Sequence, residues 1–366
     1  MKPIFWLLYG NSKNASSRLQ GYLIHEHLKY LGYNSNLFLP PEFRIRDFPL
    51  KGADIEKCCH ILKDGIVIFQ KLMGPNTIEL IQKLRRQGAT TIYIEPDFRE
   101  ANMTINHCDH VVLPSKTLQA FYIEKGLSTF YIPDPIECLR SPTEIKRKES
   151  RPIKLAWTGI RANLSRTQVI RKILSTKEFK DFQLVTVSNH PSADFQWKLE
   201  TVFDVLKACD IGVIPTGEDF KSQVKSNNRL TLFMALGLPV VAGFLPAYTE
   251  IIENDKNGYL CSNESDWANA FRELRSPEKR HQIGLNGYLS VKDKFSLDAV
   301  VQKWISLFKR IEAESKPETL DLPADFSSKN SQLEHKLHRR FWLKLGIKSF
   351  KKGRWKNAGI AFRKLF

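Results

Sequence analysis

Short apolar runs rich in β-branched and aromatic residues recur along the first 260 residues, with amphipathic stretches between them. Residues 4–9, 65–69, 90–95 and 110–114 are too short for buried helices and are flanked by Gly, Pro or Ser, so they predict strands. Between them, 14–31 sets Leu19, Tyr22, Leu23, His27 and Tyr30 at roughly helical spacing before Gly32, and 75–87 and 116–125 predict further helices. Such alternation means βαβ units and a parallel sheet. A second series comes next, with strands at 155–159, 183–187, 210–215, 239–242 and 259–261. Its last helix, 297–311, carries Leu297, Val300, Val301, Trp304, Leu307, Phe308 and Ile311 on one face. The expected architecture is α/β, two Rossmann-like domains facing each other across a cleft.

The expected boundaries follow composition. A first domain spans 1–141 and closes at Tyr131-Ile-Pro-Asp-Pro-Ile-Glu137; 142–152, rich in Lys, Arg, Glu and Ser, predicts a solvated linker. The second domain spans 153–311, a linker poor in apolar residues 312–330, and a basic tail 331–366. Within the second domain, 227–260 is the most ordered pattern. Leu230, Phe233, Met234 and Leu236 fit a helix buried on one face, Gly237 is placed to end it, 239–242 reads as a strand, and Pro246 opens the next helix. The loop 243–246 then lies at the carboxyl edge of a parallel sheet, where open α/β folds bind ligands.

With 366 residues, 42% hydrophobic and 26% charged, the chain is expected to be globular, and no apolar run approaches the ~20 residues of a membrane span. Residues 1–10 read as a first strand rather than a signal peptide, because the apolar run is short and no small-residue cleavage site comes after it. The six cysteines, Cys58, Cys59, Cys108, Cys138, Cys209 and Cys261, form no CxxC pair and suit a reducing, cytosolic compartment. His107 and His110 flank Cys108, but a strand would send alternate side chains to opposite faces, so no metal site is expected.

The stretch Asn228, Arg229, Phe233, Met234, Ala235, Gly237, Pro239, Val240, Val241, Ala242, then Pro246, Glu250, Ile251, Asn257, Gly258 and Leu260, resembles the donor-sugar half of glycosyltransferases with the GT-B fold. The likeness is to the retaining group 1, family 4-like enzymes. Asp109-His-Val-Val-Leu-Pro-Ser115 and Trp157-Thr-Gly159 resemble the close of that family's first domain and the opening strand of its second, so the likeness covers about 1–312. It implies transfer of a sugar from a nucleotide-sugar donor to a glycan or lipid-linked acceptor, as in cell-envelope polysaccharide synthesis. Such enzymes work without a bound metal or other cofactor, and no Asp-x-Asp signature is present. The chain departs from the pattern at Val224 and Leu232, where the family commonly has two glutamates, the second contacting the donor ribose. That departure keeps open an alternative: a GT-B-fold binding or scaffold protein without catalysis.

A donor diphosphate gains negative charge as the glycosidic bond breaks, so cations and helix amino ends must face it. The resemblance directs that role to Gly159, Arg161 and Arg166 in the first loop of the second domain, with a solvated loop arginine as the plain alternative for Arg161. Lys225 and Arg229, four residues apart, would repel one another on an exposed helix unless they share an anion. Tyr248 and Glu250 come after the donor loop and are further donor-side candidates, though Glu250 can equally cap or pair locally. On the first domain, Gly10 permits close ligand approach, Ser16 and Ser17 read as N-cap residues, and Arg18 reaches the cleft or forms a salt bridge. Glu95 and Asp97 at a strand end are candidates to bind acceptor hydroxyls or to act as a general base; the alternative is a turn with Asp97 capping the next segment.

The net charge is +17. Eleven Lys and Arg against one acid, Glu334, put +10 of it in 331–366, leaving +7 for the rest. Lys336, Arg340, Lys344 and Lys348 recur every four residues, with Phe341, Trp342, Leu343, Leu345 and Phe350 mainly on the remaining face. That pattern fits a helix over 336–350 lying on an anionic membrane surface; docking on the body of the protein or on a partner protein are the alternatives. No nucleic-acid partner is expected, and the protein is placed in the cytoplasm, peripheral at the inner face of the membrane if the tail binds lipid.

Overall fold

The computed structural model describes residues 1–38, 46–99, 102–145, 149 and 151–314. The tail 331–366 and nearly all of the expected linker 312–330 lie outside the described residues. Twelve strands are present among the described residues: β1 (Ile4–Leu8), β2 (Ser35–Leu37), β3 (Ile66–Gln70), β4 (Thr90–Ile94), β5 (His110–Leu113), β6 (Thr129–Tyr131), β7 (Ile153–Thr158), β8 (Phe182–Ser188), β9 (Phe195–Gln196), β10 (Ile211–Ile214), β11 (Val240–Gly243) and β12 (Tyr259–Cys261). They form two six-stranded parallel sheets, ordered β2-β1-β3-β4-β5-β6 and β12-β11-β10-β7-β8-β9.

Each sheet reverses its strand order at one place. In the first, β2 lies on one side of β1 and β3 on the other; in the second, β8 and β10 flank β7. The loops leaving the two strands on either side of such a reversal diverge, and a crevice opens between them at the carboxyl edge. The switch points are therefore β1/β3 in the first sheet and β7/β10 in the second.

Among the described residues, the first compact unit comprises Met1–Pro135, Val224–Ser226 and 296–314; the second comprises Ile136–Gln223 and Asn227–Phe295. The helix expected to close the second series, Leu297–Ala313, thus belongs to the first unit. Its apolar stripe, Val300, Val301, Trp304, Ile305, Leu307, Phe308 and Ile311, packs with Ile4, Trp6, Leu8 and Ile66 of the first sheet. Trp304 meets Trp6 edge to face at 5.4 Å. Periodicity shows that a helix has a buried face, not which sheet it covers. The helix also runs through 312 and 313, where a linker was expected. The stretch 142–152 is partly packed: Pro142–Glu144 is a 3₁₀ turn and Ile145 is buried.

The 14–31 helix is interrupted. Ala15–Ser17 leads into a π-helical turn, Arg18–Tyr22, before Leu23–Tyr30 resumes α geometry. Inside the π turn, Gly21 presses on Leu8, where an added Cβ would lie 2.6 Å from the leucine methyls. In the second unit, helix Asn228–Ala235 ends as the sequence requires. Gly237 takes φ 71°, its N–H donates to Met234 O at 2.9 Å, and Leu238 N–H donates to Phe233 O at 3.1 Å, a Schellman stop. All six cysteines are free. No helix among the described residues is long and apolar enough to cross a membrane.

Candidate functional site

In the second unit the loops that flank the β7/β10 switch point are joined by Arg166. This arginine lies near the end of the 3₁₀ turn Arg161–Thr167 that comes after β7, and its Nη2 donates to Ser222 Oγ at 2.8 Å and lies 3.6 Å from Asp219 Oδ2, both beyond the end of β10. Asp219 also accepts from the Ser222 N–H and hydroxyl. Burial alone would raise its pKa, but those bonds and the arginine charge hold it below the usual carboxylate value. Gly217 lies beneath the cluster: a Cβ there would come within 2.8 Å of Ser222 Oγ, Arg166 Nη2 and Asp219 Oδ2. Gln223, also buried, donates to Gly217 O at 2.6 Å, and its Oε1 has no hydrogen-bond partner among the described residues. The arginine side chain is 24% exposed, so it is positioned yet reachable.

Arg161 opens the same turn. Its N–H is held by Asn189 Oδ1 at 2.7 Å, from the end of β8, while the residue is exposed. Gly159, before it, packs on Trp157, whose ring a Cβ would meet at 2.7 Å. Arg229 lies in the first turn of helix Asn228–Ala235 and is half-buried. Tyr248 requires correction: it is 1% exposed and belongs to the hydrophobic core with Phe233 and Met234, so it is withdrawn from any ligand surface. Burial raises its phenol pKa, against the lowering effect of the nearby Arg229 charge. Glu250 caps the carboxyl end of helix Pro246–Thr249 and is exposed. Val224 is buried and Leu232 half-buried, so neither position offers a hydrogen bond to a ribose.

The first unit carries a polar network at its β1/β3 switch point. Ser17 Oγ donates to Gln70 Oε1 at 3.1 Å, Gln70 Nε2 to Gln20 Oε1 at 3.3 Å, Gln20 Nε2 to Asp134 Oδ1 at 2.7 Å, and Ser226 Oγ to Asp134 Oδ2 at 2.7 Å. The π turn is what aims Gln20 inward. Burial raises the pKa of Asp134, opposed by its bonds from Ser226 and Gln20. Ser17 is thus a network residue and not only a helix cap. Arg18 is largely buried and donates from Nη1 to Ser12 O at 2.9 Å, bracing the loop after Gly10.

Glu95 is fully buried, which corrects the expectation that it faces an open cleft. Its Oε2 accepts from Asn102 Nδ2, which also reaches Tyr93 OH at 3.1 Å, while Oε1 has no hydrogen-bond partner among the described residues. Burial pushes its pKa up to about 7, with the Asn102 bond and Arg99 working the other way. Asp97, two residues on, caps no helix among the described residues. Its Oδ2 pairs with Lys71 Nζ at 2.8 Å. Lys71, the first residue after β3, escaped the sequence reading because nothing in a sequence marks a lysine for left-handed backbone. Lys225 comes near enough for its charge to act on Asp97. The structure therefore gathers Lys71, Asp97 and Lys225 in one unit and Arg161 and Arg166 in the other.

Comparison with known proteins bears on the fold and on the second sheet's sequence. Residues 156–276 match the family model Glycosyl transferases group 1. An alpha-1,3/1,6-mannosyltransferase of Dictyostelium discoideum is 27% identical over 160 residues, 42% of this chain. The match spans about a third of that relative's length, 34%. Among solved structures, a glycosyltransferase from Rickettsia africae superimposes with a TM-score of 0.66 at 13% identity, covering 86% of this chain and 100% of the other. Anabaena HepE, solved with UDP and glucose, gives 0.64 at 14% identity over 84% of this chain and 99% of its own. Sucrose-phosphate synthase from Thermosynechococcus elongatus gives 0.63 at 17%, over 86% and 100%. These likenesses show the fold, the α/β architecture of GT-B proteins.

Proposed function

We propose, for a chain whose residues 156–276 match the family model Glycosyl transferases group 1, that the protein moves a sugar from a nucleoside-diphosphate donor to a hydroxyl of a glycan or lipid-linked acceptor. The observation that carries this reading is Arg166, half-sheltered at the β7/β10 switch point between Gly217, Ser222 and Asp219. A fixed guanidinium at that edge presents paired N–H donors to phosphate oxygens and stabilises the charge that grows on the leaving diphosphate. Arg161 and Arg229, of the same unit, supply further positive charge, and Gly159 lets the β7 loop backbone approach the donor. The neighbour solved with UDP and glucose supports a uridine nucleotide as the first donor to try.

The likeness to retaining, metal-independent group 1 enzymes supports a reaction of that type, with the leaving group neutralised by arginine and lysine. On the first unit, Asp97 and the loop after Gly10, braced by Arg18, are the acceptor-side candidates. Cell-envelope polysaccharide is the acceptor class we favour. The excess of cations in 331–366 supports contact with an anionic membrane, where a lipid-linked acceptor resides. Truncation after Glu314 should abolish sedimentation with phosphatidylglycerol vesicles; equal sedimentation of full and truncated chains removes that element.

The decisive experiment for the reaction is release of nucleoside diphosphate from a panel of nucleotide sugars. Turnover of at least one supports transfer. Binding without turnover would favour the second reading, a non-catalytic GT-B protein, for which buried Val224 and half-buried Leu232 speak because neither side chain can accept ribose hydrogen bonds.

A further inference from the structure

Lys71 sits at the carboxyl end of β3, the strand bordering the first switch point, and its backbone has φ 57°. Among the described residues only Asp255 shares that left-handed state without being glycine. A side chain there is strained, and glycine would be free of that strain. Such strain persists where the surrounding structure enforces it, most often at sites that bind or react. The lysine side chain is 9% exposed, and its ammonium meets Asp97 Oδ2 at 2.8 Å; the aspartate side chain is 47% exposed. One partner is anchored inside the unit and the other opens outward. An ion pair with one open partner adds little to stability, so stability does not account for a strained lysine at this position.

The charges around Asp97 narrow the ligand. Lys71, Lys225 and Arg99 act on it from three segments, and the carboxyl groups of Glu95 and Asp134 belong to the same cluster. Buried Glu95 is partly protonated near neutral pH, so the three cations exceed the ionised carboxyl groups only slightly and leave little net charge to attract a phosphate. A half-open carboxylate among balanced charges suits a neutral hydroxyl, which donates to it.

We propose that Lys71 is a positioning residue that fixes the Asp97 carboxylate as the hydrogen-bond acceptor for a hydroxyl of an uncharged sugar on the acceptor. The inference rests on the glycosyl-transfer reading above. Burial would push Asp97's pKa up, and the lysine's charge and hydrogen bond, with Lys225 and Arg99, hold it below the usual value. Removing the lysine therefore shifts the acid limb of transfer to higher pH.

Lys71→Gly tests this on a backbone that glycine adopts freely at φ 57°, where relieved strain works against the lost packing of the largely buried stem; a thermal melt shows that the variant is folded before kinetics are read. The probes are UDP-sugars as donors and the methyl glycosides of glucose, galactose and mannose as acceptors. The parent enzyme should transfer to at least one glycoside. In Lys71→Gly the ratio of transfer to donor hydrolysis should fall about tenfold or more through a raised acceptor KM, the acid limb should move up in pH, and Lys71→Arg should recover most of the loss. Donor hydrolysis without transfer to any methyl glycoside, or a glycine variant with unchanged acceptor KM and acid limb, overturns the proposal. Failure of the parent to turn over any nucleotide sugar condemns the functional reading itself, and is told apart because it appears before any substitution is made.

Discussion

Replacing Arg166 with alanine removes the side chain on which the proposed donor site most depends, and the structure separates its expected effect on turnover from its effect on folding. Among the described residues the guanidinium makes one hydrogen bond, 2.8 Å to Ser222 Oγ, and one looser ion pair, 3.6 Å to Asp219, whose side chain is 58% exposed. Exposed pairs of that kind are worth ~0–1 kcal/mol, so Arg166→Ala should cost at most about 1 kcal/mol of stability. Against a diphosphate in the crevice, the same group forms charge-assisted hydrogen bonds worth about 1.5–3 kcal/mol, or roughly ten- to a hundred-fold in kcat/KM for the donor. Arg166→Lys keeps the charge and loses the fork, and should fall between the two. The assay is donor hydrolysis measured by released nucleoside diphosphate, alongside a thermal melt. A variant that melts like the parent and turns over within about twofold of it would remove Arg166 from the site and refute the switch-point argument.

Buried features lead to three further expected outcomes. Glu95, with a pKa raised to about 7, binds protons more tightly folded than unfolded, so its contribution to stability is greatest near pH 4.5 and below and is lost as pH rises to about 7. Glu95→Gln should therefore melt like the parent near pH 4.5 and be the more stable protein, by up to about 3 kcal/mol, at about pH 8; parallel Tm–pH curves would contradict this. Trp304→Ala empties the contact of helix Leu297–Ala313 with Trp6 and should cost about 3–5 kcal/mol in urea unfolding. Gly237→Ala places a side chain at φ 71° and a Cβ 2.7 Å from Ile145, for an expected loss of at least ~1 kcal/mol by the same measurement.

Much of the fold is written in short-range pattern. Central strands such as β3 and β4 are buried along their whole length, so their apolar runs announce them. Strands β2, β6 and β9, two or three residues each at sheet edges, carry no run long enough to see. The Schellman stop at Gly237 was legible because only glycine takes that backbone readily. Lys71 takes the same region without glycine's signature, so its position was invisible. Charge and loop position single out Arg161 and Arg166 in the sequence, and the structure places both in the turn after β7. It misled where a polar residue near a loop turns inward, as Tyr248 and Glu95 do. Gln20, Gln70 and Asp134 form one network from three distant segments, which no local pattern could join.

The central claim is that the carboxyl edge at β7/β10 holds a nucleotide-sugar donor. Saturation-transfer NMR against UDP-, GDP- and ADP-sugars tests it most directly, with the parent protein and Arg166→Ala measured side by side. The account predicts saturation of the nucleotide protons of at least one donor and its marked weakening in the variant. Equal signals from the two proteins, or none from any donor, would contradict it.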